Sequence, residues 1–163
     1  DTMILDVGTT THELALLLGE RRDVHVVTND LRIGCLADQY PSLDIYVLSG
    51  RVRSGYHCTV GASAVRGLGD FAVDKAFLGT NGFDLEHGAS TPDSAQAEVK
   101  RAMIQSAQKR YLLCDSGKFG KLSFVRFASL EQLDVLITDR ISQQDLERLE
   151  RVDVEVRAAR VDD

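Results

Sequence analysis

Long apolar runs are missing from this sequence. The longest, such as Ala15-Leu16-Leu17-Leu18, is far too short to cross a bilayer. Asp1 to Asp6 hold neither a basic n-region nor an extended apolar h-region, so they do not read as a signal peptide. Clustered thiols are missing as well. Cys35, Cys58 and Cys114 stand apart with no CxxC spacing, and His12, His25, His57 and His87 are equally dispersed. Metal sites need ligands at close, regular spacing, so no metal is expected. Unpaired, scattered thiols suit a reduced, cytoplasmic setting. There are only two prolines, with no flexible linker and no internal repeat. Residues 1–163 therefore read as a single domain, large enough to bury roughly 70% of the unfolded surface. Positive charge is in deficit, 19 Lys and Arg against 25 Asp and Glu, for a net charge of −6. Phosphate backbones are held by an excess of cations, so this segment does not itself read DNA. The Gly-Lys-Ser/Thr ending of a nucleotide-binding P-loop is absent, and so is the GxGxxG of a dinucleotide site.

What the chain does have is alternation. Strand-like runs at Met3–Leu5, Val24–Val27, Asp44–Leu48, Val73–Leu78, Tyr111–Cys114, Asp134–Thr138 and Val154–Val156 are separated by helical patterns. Helices are expected from the threonine loop to about Gly19, from Asn29-Asp30 to about Tyr40, over Ala62–Leu68, from Ser94 to Lys109 and over Gln143–Arg151. Arg51–Thr59 and Gly79–Asp93 read as loops. The second is long enough to suggest a functional role. The succession predicts an α/β fold with a mostly parallel sheet in three layers, helices on both faces. The strand at Met3 starts with no leader, which suggests a segment of a longer chain.

In such sheets, ligands bind at the carboxyl ends of strands. The residues just past the strands are small, polar or both: Asp6, Gly8, Thr9, Thr10 and Thr11; then Thr28, Asn29 and Asp30; Ser49, Gly50, Arg51 and Arg53; Gly79, Asn81, Gly82 and Asp84; and finally Asp115, Ser116, Lys118 and Gly120. Arg51 and Arg53 suit a second anionic group or simply solvent. The stretch Asp6-Val7-Gly8-Thr9-Thr10-Thr11 precedes a helix with Leu14, Leu17 and Leu18 on one face. A helix N-terminus offers unpaired N–H groups and about half a positive charge, a cradle for a phosphate. The plainer reading is that one threonine caps the helix and the others fill the turn. Lys118, in Asp115-Ser116-Gly117-Lys118-Phe119-Gly120, suits a phosphate or a sugar hydroxyl, or simply solvent. Asn81 and Asp84 suit sugar hydroxyls or turns. His87 is a lone loop histidine and a weak candidate base. Glu98 sits in the first turn of a helix, where the dipole favours a carboxylate, and it also has the option of facing the pocket.

Taken in order, Asp6-Val7-Gly8-Thr9-Thr10-Thr11, Val27-Thr28-Asn29, Leu48-Ser49-Gly50, Asp74-Lys75-Ala76-Phe77-Leu78-Gly79, Asn81-Gly82-Phe83-Asp84, Ala97-Glu98-Val99-Lys100-Arg101-Ala102-Met103 and Asp115-Ser116-Gly117-Lys118-Phe119-Gly120 resemble the C-terminal sensor domain of the DeoR/GlpR family of bacterial transcription regulators. Each match is weak alone; all run in register to about Asp139. The resemblance implies a Rossmann-like fold of the ribose-5-phosphate isomerase and CoA transferase type. It also implies a phosphorylated sugar effector, no cofactor, a homo-oligomer (dimer or tetramer), and DNA contact only through an N-terminal winged helix-turn-helix that lies outside this chain. No membrane partner is implied.

The isomerase comparison bears on catalysis. Where such an isomerase carries Asp-Gly-Ala-Asp, this chain has Asn81-Gly82-Phe83-Asp84, and Ser90-Thr91-Pro92-Asp93 stands in place of a lysine-bearing glycine loop. Glu98 is similar to the glutamate base. Isomerisation needs both a base and a group that polarises the carbonyl. The resemblance thus implies a sensor of sugar metabolism, with no catalytic residues, over a sugar-phosphate isomerase or a purely oligomerising module.

Overall fold

The computed structural model describes residues 1–163. Its main sheet contains β1 (Thr2–Leu5), β2 (Val24–Thr28), β3 (Leu43–Val47), β6 (Val73–Gly79), β9 (Ala107–Leu113), β11 (Val135–Ser142) and β12 (Glu155–Asp162). Two hairpins, β4 (Arg51–Arg53) with β5 (Cys58–Val60) and β7 (Gly82–Asp84) with β8 (Gly88–Thr91), lie outside it, and β10 (Val125–Ala128) joins β8. The helices are α1 (Thr9–Leu18), α2 (Leu31–Gly34), α3 (Ala62–Leu68), α4 (Ser94–Ser106) and α5 (Gln143–Glu150).

The main sheet has the order β12-β11-β9-β6-β1-β2-β3, and all its pairings are parallel. The chain builds outward from β1 in one direction, then returns and builds outward from β6 in the other. The β1/β6 boundary is therefore the switch point, where a crevice opens beyond the strand ends.

The pleat divides the apolar side chains. Met3, Leu5, Val24, Val26 and Leu43 meet Ala15 of α1, Ile33 of α2 and Leu36 of the 3-10 turn, Cys35–Asp38, that follows it. Ile4, Val27, Ala76, Leu78, Leu112 and Leu136 face a larger cluster with Ala64, Leu68, Val99, Met103 and Leu149 from α3, α4 and α5. Burying each of the larger aliphatic side chains contributes about 1.5–3 kcal/mol. On the α1 face over β9, Phe77 and Tyr111 stack at 4.7 Å, and Lys109 and Arg157 lie over the Tyr111 ring at 5.6 and 5.8 Å. Cys114 is buried, and that burial pushes its thiol up to about 12. No helix is long and apolar enough to cross a membrane.

The parallel α/β architecture agrees with the reading from the sequence, while several boundaries differ. The expected loop Arg51–Thr59 is the β4–β5 hairpin, and most of Gly79–Asp93 forms β7 and β8. Gly88 makes that second hairpin possible. Its φ is 77°, and a Cβ there would lie 2.0 Å from the Ala128 carbonyl oxygen. The helix expected to reach Tyr40 is the single turn of α2 followed by a 3-10 segment, Cys35–Asp38. The helix from Ser94 stops at Ser106, because Ala107 adopts extended φ −113°, ψ 144° and begins β9.

Candidate functional site

Beyond the ends of β1 and β6 lies a cleft of about 420 Å³, within the range of small-molecule sites. Four cations, Arg32, Arg53, Lys100 and Lys118, line it, and no carboxylate does. An anion entering it meets no like charge at the wall.

One wall is the start of α1. Gly8 occupies the N-cap with φ 157° and ψ 165°, a region open to glycine, and no side chain caps the helix. Three of the other helix starts are filled from within the chain, while α3, like α1, begins at a glycine, Gly61, with no side-chain cap. Asp30 accepts from the Arg32 and Ile33 amides, Asp93 accepts from the Gln96 amide, and Ser142 accepts from the Asp145 amide. The Gly8 amide donates to Asp30 Oδ2 at 3.4 Å, and the amides of Thr9, Thr10 and Thr11 that follow it are left facing the cleft, beside the exposed Thr9 and Thr10 side chains. Thr11 also lines the cleft, but its hydroxyl donates to the Gly8 carbonyl at 3.0 Å and so holds the turn.

The floor is a buried ion pair. Lys100, on α4, is 2% exposed and its Nζ donates to Asp6 Oδ2 and, at 3.0 Å, to the Gly79 carbonyl. Asp6 is fully buried and also accepts from the Val7 amide at 2.9 Å and the Gly79 amide at 3.1 Å. Four hydrogen bonds thus converge where the ends of β1 and β6 meet α4. Lys100 lines the cleft, whereas Asp6 lies beneath it.

The structure brings together Gly8, Thr9, Thr10, Thr11, Asn81 and Lys118 of the residues expected from the sequence. It places the others elsewhere. Thr28 is buried and donates to the Leu5 carbonyl at 2.6 Å; Asn29 is buried and its side-chain amide donates to the Thr59 carbonyl at 2.9 Å. Both tie β2 to its neighbours. Gly50 meets the Val60 carbonyl, where a Cβ would lie 2.6 Å away, and Arg51 is exposed on β4. Glu98 is exposed and outside the cleft. It is two residues from both Gln96 and Lys100, about 200° around the helix from the face they present.

Asp84 is a turn residue. Its carboxylate accepts from the Glu86 and His87 amides and contacts the His87 ring at 3.1 Å. Partial burial pulls its pKa upward, but these donors win and hold the carboxyl below its ordinary value. Stability from this turn is present above the unfolded carboxyl pKa of about 4 and is lost as pH falls through the lower folded value. Asp84→Ala is expected to cost about 1 kcal/mol at neutral pH, to flatten the acid limb of the denaturation curve, and to leave ligand affinity at the cleft intact. Chemical denaturation at pH 7 and at pH 3, with ligand titration, checks all three.

Sequence reasoning missed Lys100, Arg32, Tyr56, His57 and Gln96. The available signal for Lys100 was its register: Gln96, Val99, Lys100 and Met103 share the buried stripe of α4, and an ammonium on such a stripe requires a partner.

An open parallel sheet with a polar crevice at its switch point defines an α/β protein of the doubly wound class. The structure is similar to ribose 5-phosphate isomerase A of Methanocaldococcus jannaschii, with a TM-score of 0.50 at 17% identity, covering 72% of this chain and 46% of that one; this establishes the shared fold. The sequence pattern of the DeoR C terminal sensor domain matches residues 1–140, and the chain belongs to that family. Among its relatives are the HTH-type transcriptional repressor GlcR of Bacillus subtilis, 35% identical over 144 residues and 88% of this chain, and the HTH-type transcriptional regulator GlpR of Haloferax volcanii, 35% identical over 137 residues and 84% of this chain. The chain spans only 55% and 53% of their lengths. These relatives are named as regulators, in keeping with a sensor that is not an enzyme.

Proposed function

We propose that this chain is the effector-sensing domain of a bacterial transcriptional repressor of sugar metabolism, and that a phosphorylated sugar is its effector. The uncapped start of α1, opening on a cleft lined by cations and free of carboxylates, carries this reading. The phosphate sits on the α1 amides with Thr9 and Thr10, and Lys118 adds a point charge. Asn81 and Gln96 are placed for sugar hydroxyls. In this reading the protein is cytoplasmic and oligomeric, residues 1–163 form one domain, and an N-terminal winged helix-turn-helix contacts DNA. The effector biases arrangements of differing operator affinity by its own difference in affinity for them.

A panel of triose, pentose, hexose and amino-sugar phosphates is expected to contain at least one that raises the melting temperature. At a concentration of one hundred times Kd the stabilisation is about 2.7 kcal/mol, a shift on the order of 5–10 °C for a chain of this size. The unphosphorylated sugar is expected to give no shift. A flat response across the whole panel in differential scanning fluorimetry rejects the reading.

A further inference from the structure

The four cations of the cleft are not equally satisfied. Lys100 is neutralised by Asp6 at the floor. Arg32 meets the fully buried carboxylate of Asp30 at 3.2 Å, and Lys118 meets Asp115 at 3.3 Å. Arg53 differs. Its Nη1 donates to the neutral Gln96 Oε1 at 2.6 Å, while its nearest carboxylate oxygen, Asp93 Oδ2, is 3.7 Å from Nε, beyond hydrogen-bond length. Asp93 is already engaged as the N-cap of α4. The Arg53 side chain is only 18% exposed, so this is a largely buried guanidinium with no hydrogen-bonded counter-ion. It lies 3.6 Å from the centre of the Tyr56 ring, which fixes its plane. A planar, oriented guanidinium with free donors suits bidentate capture of a carboxylate or phosphate.

Its position supplies the second half of the argument. Arg53 is anchored to residues of α4, which packs on the opposite face of the sheet from α1. The cleft therefore has positive poles on two sides: the open amides of α1 on one and Arg53 on the other. The start of α4 is already filled by Asp93, so the receiving group on that side is the side chain and not the helix dipole.

We infer that the effector carries a second anionic group, received by Arg53, so that the ligand class is a sugar bisphosphate or a phosphorylated sugar acid; this rests on the phosphate site proposed at α1. Arg53 is then the residue that separates doubly from singly charged ligands.

The test is isothermal titration of the 163-residue chain with matched pairs differing by one anionic group. Fructose bisphosphate against fructose 6-phosphate and ribulose bisphosphate against ribulose 5-phosphate form the bisphosphate arm. Phosphogluconate against glucose 6-phosphate and 3-phosphoglycerate against glycerol 3-phosphate form the acid arm. The doubly charged member of at least one pair is expected to bind about tenfold tighter than its partner, and the arm in which this occurs names the second group. In Arg53→Gln that ratio is expected to fall below about threefold. A ratio near one in every pair that binds, or a ratio that survives Arg53→Gln, overturns the inference while leaving the phosphate site standing. Binding by no member of any pair removes both. The ratio in the unaltered chain decides the matter even where the variant folds poorly.

Discussion

Lys100→Met is expected to lower stability by about 3–5 kcal/mol, because it leaves the Asp6 carboxylate buried with only two amide donors. For a chain of this size that corresponds to a fall in melting temperature on the order of 10 °C. The loss comes from the stranded charge more than from the missing contact, so Asp6→Asn in the same chain is expected to recover much of it. An amide there still accepts from the Val7 or Gly79 amide and carries no charge to desolvate. A double-mutant cycle by urea denaturation measures the coupling. Independent, additive losses would show that the pair does not act as a unit. Sugar-phosphate affinity is not expected to return in the double variant, since Lys100 also forms part of the cleft wall.

Thr10→Asp is expected to move stability and binding in opposite directions. Thr10 is exposed in the first turn of α1, where a carboxylate completes an uncapped helix and contributes about 0.3–1 kcal/mol. The same carboxylate occupies the anion cradle and repels a phosphate, so affinity is expected to drop by about a hundredfold or more. Thr10→Asn, of similar shape and neutral, is the control and keeps most of the affinity. Thermal melts without ligand and titration with the responding sugar phosphate give the two readings. Retained binding in Thr10→Asp would place the phosphate elsewhere.

Inner strands such as β1 and the end of β9 were legible because runs such as Met3-Ile4-Leu5 and Tyr111-Leu112-Leu113 are continuous: a strand buried on both faces needs no alternation. Thr9, Thr10 and Thr11 were legible through the rule that ligands gather at strand ends. The hairpins were not, because Arg51–Arg53 and Gly82–Asp84 are three residues long and too polar to stand out from loops. The start of β9 was read as helix because Ala107-Gln108-Lys109 suits a helix on propensity, and only pairing with β6 makes it extended. The site suffered from the strand-end rule itself. Thr28 and Asn29 follow a strand, yet their polar groups are consumed by backbone partners, while Lys100 and Gln96 enter the cleft from a helix face that the rule ignores. Arg32 looks like a solvent-facing cation until the chain folds its element onto the crevice, whereas Arg53, past the third strand, was open to an anionic group or to solvent.

The ion pair beneath the cleft divides the region mechanically. Spreading β1 from β6, or lifting α4 away from them, would pull Lys100 off Asp6 and Gly79 and expose a bare ammonium and a bare carboxylate to a nonpolar interior. The base is thus an anvil. The rim is more lightly tied: the β4–β5 hairpin is exposed at Ser54, Gly55 and His57, and Lys118 stands on a single 3-10 turn. In the proposed reading, an effector bound in this crevice would move its lips before its floor.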